Sequence, residues 1–103
     1  GEQRIEAGAV QLAWRAEPGP PAVGRPFALE LQVCPRAARL LRVDASMPEH
    51  RHGMNYRPSL RPLGEGRWRA QGLLWHIGGR RELAVEVDAH GERRWLRQSV
   101  SLP

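Results

Sequence analysis

Glu82-Leu83-Ala84-Val85-Glu86-Val87-Asp88 reads as a strand with one dry and one wet side, and much of the chain repeats its pattern. Leu83, Val85 and Val87 fall on one face, with Glu82, Glu86 and Asp88 on the other. That is the two-residue period of a half-buried β-strand. A solvated outer face explains the aligned carboxylates more simply than acid–base catalysis. Residues 27–33 alternate in the same way, with Phe27, Leu29, Leu31 and Val33 inward and Ala28, Glu30 and Gln32 outward. Val10, Leu12 and Trp14 share a face, and so do Leu41, Val43 and Ala45, opposite Arg42, Asp44 and Ser46.

Weaker strand signals complete the set. Residues 58–63 read as a short edge strand limited by Pro58 and Pro62. Residues 67–70 and 73–77 read as one strand or a pair, carrying Trp68 and Trp75, and residues 95–102 as a closing strand. Trp14, Trp68 and Trp95 lie on alternating segments and are expected in the core. Glu17-Pro18-Gly19-Pro20-Pro21, Gly64-Glu65-Gly66, Gly78-Gly79 and His90-Gly91 supply turns between strands. Residues 35–39 form a short link with room for one helical turn. No window combines helical periodicity with caps. The pattern predicts an all-β antiparallel sandwich of about seven strands, one domain over residues 1–103.

Composition sets outer limits. The chain has 103 residues, 41% hydrophobic and 26% charged, as soluble domains do. Its longest apolar runs are far too short to span a bilayer. Gly1 stands where an initiator methionine would, and the expectation is a trimmed chain from which a leader or membrane anchor has been removed. The formal charge of +5 raises nucleic acid as a partner. All the basic residues are arginine, however, and they are dispersed from Arg4 to Arg97 with acidic residues between them. A phosphate-tracking surface clusters its cations among aromatics on one face, so no nucleic-acid partner is expected. The single Cys34 is expected to be a buried or half-buried thiol.

One segment breaks the alternation with unusual chemistry. Met47-Pro48-Glu49-His50-Arg51-His52-Gly53-Met54 holds both methionines and two of the four histidines. Pro48 and Gly53 make it a loop at the end of a strand. Thioether is a soft donor and imidazole a borderline one, a combination that suits Cu(I), with imidazole also serving Cu(II) or zinc. Residues two apart in an extended chain share a side, so His50, His52 and Met54 could converge, with Met47 folding back across Pro48. The alternative is that the methionines fill gaps in the core while the histidines cap the loop through hydrogen bonds. His76, at the end of a predicted strand before Gly78-Gly79, is a further candidate ligand, since metal sites gather residues from separate loops. His90 reads as an ordinary turn residue. Catalytic signatures are thin: the serines lack a nucleophile elbow, Cys34 has no evident base, and there is no phosphate loop or paired-cysteine motif. A binding protein is expected, not an enzyme.

The run from Val43 through Met47-Pro48-Glu49-His50-Arg51-His52-Gly53-Met54 resembles the MPxHxHGM signature of YtkA-like and FixH-like extracytoplasmic domains. A second block of the same family resembles Gly66-Arg67-Trp68, Gly72-Leu73-Leu74-Trp75-His76-Ile77-Gly78-Gly79 and Glu82-Leu83-Ala84-Val85. The two blocks cover roughly residues 27–88, the first being the more specific. The resemblance implies an immunoglobulin-like β-sandwich in the bacterial periplasm or on the outer face of the membrane. It also implies a copper-handling role as an accessory or chaperone to a copper enzyme or copper-transport protein. Met47, His50, His52 and Met54 carry over directly, and His76 matches the second block's histidine. Ile77 stands where that block usually has methionine and Gly78 where it has proline, which removes one thioether. The competing expectation is a non-catalytic protein-interaction sandwich in which the loop is structural. Adhesion to acidic surfaces through the arginines is a third.

Overall fold

Alternation along the chain becomes alternation between core and solvent in a computed structural model that describes residues 2–19, 22, 24–46, 57–75 and 81–100. Eight strands follow in order: β1 (Gln3–Ala7), β2 (Val10–Glu17), β3 (Phe27–Cys34), β4 (Arg39–Ser46), β5 (Ser59–Gly64), β6 (Arg67–Leu73), β7 (Arg81–Ala89) and β8 (Glu92–Val100). They form a five-stranded sheet ordered β1-β2-β3-β6-β5 and a three-stranded sheet ordered β4-β7-β8. All pairings are antiparallel. The result is an all-β sandwich.

Each sheet is built around a central strand whose inward side chains meet inward neighbours on both sides. In the small sheet Val85 lies opposite Val43 on β4 and Leu96 on β8, and all three are buried. In the large sheet Leu31 lies opposite Trp14 and Trp68. The two inward faces merge into one core that includes Leu12, Leu29, Val33, Leu73, Leu83 and Val87. Burying each large aliphatic side chain contributes about 1.5–3 kcal/mol, which makes this core the main source of stability. One hydrogen bond ties the sheets directly: Trp14 Nε1 on β2 donates to Gln98 Oε1 on β8 at 2.8 Å.

Turn chemistry fixes the hairpins. His90 and Gly91 both have positive φ, 56° and 78°, the backbone of a two-residue turn that matches strand twist. Glu65 and Gly66 repeat this between β5 and β6, at 55° and 79°. Gly66 is constrained twice, because a Cβ there would lie 2.6 Å from the carbonyl oxygen of Val33. That approach lets the Gly66 carbonyl accept a hydrogen bond from the Val33 N–H at 2.8 Å.

The structure departs from expectation at several named places. An additional strand, β1, brings the count to eight; only Ile5 and Ala7 on it are half-buried, too faint an alternation to stand out in sequence. Leu41 does not face inward with Val43. It is the extra residue of a β-bulge, because Leu40 pairs with Val87 and Arg42 with Glu86, and Leu40 takes the core position. Of the two readings of segments 67–70 and 73–77 the single strand holds, but it is shorter: β6 ends at Leu73, with its own bulge at Gly72. Trp95 is exposed, not core, because its neighbour Leu96 is the residue in phase with Val85. The guanidiniums of Arg42 and Arg97 lie over its ring at 5.7 and 5.1 Å and cover part of it. Trp68 is half-buried. Cys34 is exposed, because it continues the outward phase of Glu30 and Gln32 at the end of β3. Residues 35–38 do form a turn, closed by the Ala38 N–H donating to the Pro35 carbonyl at 3.0 Å.

Gly66→Ala is expected to destabilise the protein by at least ~2 kcal/mol, combining left-handed strain with the clash against Val33. Gly64→Ala, with positive φ but open space around it, is expected to cost only about 1 kcal/mol. Urea denaturation midpoints of the two variants check the difference.

Candidate metal centre

Met47, His50, His52 and Met54 lie outside the described residues, as does His76, and so do Glu49, Arg51 and Tyr56. What the structure provides is the frame to which their segments attach. Residues 47–56 follow Ser46, the last residue of β4, which pairs with Glu82 near the start of β7. Residues 76–80 lead into Arg81, the first residue of β7. Both segments therefore join the small sheet at the same end, on neighbouring strands. Their other roots also neighbour each other, since Ser59 at the start of β5 pairs with Gln71 near the end of β6. Each segment links the same end of one sheet to the same pair of strands in the other.

The roots of the 76–80 segment are firmly held. Trp75 is 2% exposed, stacks on Phe27 with ring centroids 4.9 Å apart, and its carbonyl accepts a hydrogen bond from Gly24 N–H at 2.8 Å. Its indole Nε1 is buried and meets no acceptor among the described residues. A buried donor left unmet costs about 1–3 kcal/mol. Arg81 closes the segment on the far side and is the one charged residue buried among the described residues. Neither residue stood out in the sequence as part of a site. The only signal was position, since Trp75 belongs to the second block of the resemblance and Arg81 falls between its two later runs.

Two donor-type residues are excluded from this end by topology. Cys34 ends β3, whose first residue, Phe27, pairs with Leu73 at the candidate end. An eight-residue strand at about 3.4 Å per residue separates them by more than ~20 Å. His90 sits in the turn at the opposite end of the nine-residue β7, similarly remote. Among the described residues no group of three or more His, Cys, Asp or Glu side chains is placed to hold a metal ion.

A second polar cluster lies on the outer face of the large sheet. Glu30 accepts from Arg15 at 3.2 Å and Arg69 at 3.3 Å, and Glu17 accepts from Arg69 at 3.3 Å. An open depression of about 200 Å³ lies beside Arg15, Glu30, Gln32 and Arg67. No sulfur or imidazole lines it, and its carboxylates are already matched by guanidiniums, so it behaves as a solvated ion-pair network. Pairs this exposed contribute under about 1 kcal/mol each. Comparison with family models, with curated proteins and with solved structures returns no match.

Trp75→Phe removes the unmet donor while keeping most of the ring, so it is expected to change stability by no more than about 1 kcal/mol. Trp75→Ala is expected to cost about 3–5 kcal/mol. Thermal and urea unfolding of both variants measure the contrast.

Proposed function

We propose that this chain is a copper-binding accessory or chaperone module of the bacterial cell envelope, not a catalyst. Met47, His50, His52 and Met54 would hold the ion, with His76 as a further ligand. The observation that carries this reading is the donor set itself. A chain with only two methionines places both beside two histidines within eight residues. Neutral thioether and imidazole donors suit a soft monovalent ion and let it be released to a partner without breaking a thiolate bond. The common end at which segments 47–56 and 76–80 attach supports His76 as a contributor.

The same reading takes the sandwich as immunoglobulin-like, the location as periplasmic or on the outer face of the membrane, and the partner as a copper enzyme or copper-transport protein. No helix among the described residues is long and apolar enough to cross a membrane.

Anaerobic Cu(I) titration against a competing chelator tests the proposal. The wild type is expected to bind with a submicromolar dissociation constant, and Met47→Leu combined with Met54→Leu to weaken binding by at least about 100-fold, some 2.7 kcal/mol. Absence of binding above background would reject copper and favour the interaction-domain reading, in which the loop is structural. A His76→Ala variant reports separately on the second segment, with a smaller loss expected.

A further inference from the structure

The sandwich has four sheet edges, and three of them carry devices that discourage further strand pairing. β1 is only five residues long. β5 contains Pro62, which lacks a donor, and bulges at Leu63. β8 carries the charged, still exposed Arg94 at a position in phase with Leu96, and packs along β1. β4 differs. Its bulge at Leu41 is followed by five residues, 42–46, in unbroken register with β7, and they include no proline, no glycine and no inward charge. Among the described residues no strand pairs with its other side.

We infer that this edge pairs with the same edge of a second copy of the chain, antiparallel and centred on Val43, joining two three-stranded sheets into one of six. Charge selects the occupant and the register. A two-fold axis perpendicular to the sheet keeps each side chain on its own face, so the axis must pass through a residue pair of like number. Centring on Arg42 sets Arg42 against itself, and centring on Asp44 sets Asp44 against itself. Centring on Val43 sets Arg42 against Asp44 twice, on the outward face, within the part of β4 that lies beyond the bulge. Opposite charges directly across an antiparallel pair stabilise it, and like charges do the reverse.

Asp44 adds an independent reason. It is half-buried and makes no hydrogen bond or ion pair among the described residues, so its carboxylate lacks the cation that the second copy's Arg42 supplies. Arg42 leans over Trp95 in the single chain, and it exchanges that exposed contact for one of comparable strength.

Sedimentation from micromolar to millimolar protein, with amide hydrogen exchange over the same range, tests the inference. A monomer–dimer equilibrium is expected, with the amides of residues 42–46 that point away from β7 gaining protection as concentration rises. Asp44→Arg is expected to raise the dissociation constant about tenfold or more, and Arg42→Asp with Asp44→Arg to restore it to within about threefold. Arg42→Glu reads the same contact from the other side should Asp44→Arg fail to fold, which circular dichroism reports. A chain that stays monomeric throughout, as it would if the edge served a strand of some other protein, overturns the inference. So does a dimer indifferent to both single substitutions, or one that the charge swap fails to restore.

Discussion

The burial of Leu83, Val85 and Val87 on β7 is the constraint from which the rest of the architecture follows. A side-chain period of two permits no slippage: one residue of register shift would send all three to solvent and bring Glu82 and Glu86 inward. β4 and β8 must therefore match β7 pair by pair, as Val43 and Leu96 do at Val85. That match determines where β4 ends and where the chain enters β7. The attachment of the two donor-bearing segments at one end of the sandwich is thus a by-product of core packing, made before any ligand chemistry is considered.

Frame and chemistry are divided along the chain. Among the described residues the strands hold nearly all of the buried apolar side chains, whereas the methionines and three of the four histidines lie in segments 47–56 and 76–80 between strands. Binding residues are often carried on connections over a rigid scaffold. Trp75 is the point of contact between the two. It is simultaneously a packed member of the core against Phe27 and the residue to which His76 is bonded.

Strands with strong alternation were legible from residues alone: β3 and β7 lie where their apolar periods fall, and β5 is an edge as its prolines require. Legibility failed where the local pattern admits two phases. In Arg39-Leu40-Leu41-Arg42 either leucine could face inward, and only pairing with Val87 selects Leu40. In Arg94-Trp95-Leu96 the larger side chain is the natural choice for the core, yet β8 must present Leu96 to Val85. Cys34 was misjudged for a related reason, since hydrophobic preference pointed inward while strand phase pointed outward. At the candidate centre, the residues proposed as ligands stand out in sequence only as residue types in a short span. The common end of their segments was not legible, because it depends on pairings between strands far apart in sequence.

The bulge at Leu41 acts as a phase shifter in β4. On one side of it Leu40 meets Val87, on the other Arg42 meets Glu86, so the strand carries one residue more than its partner needs. Loss of that residue would leave every remaining side chain on the face it already occupies. Loss of any residue between Arg42 and Ser46 would instead invert the rest of the strand, or draw the segment that begins at Met47 into the sheet. Length variation in this protein is therefore not equally permitted along β4: position 41 is a seam where the chain can be shortened without rewriting its pattern.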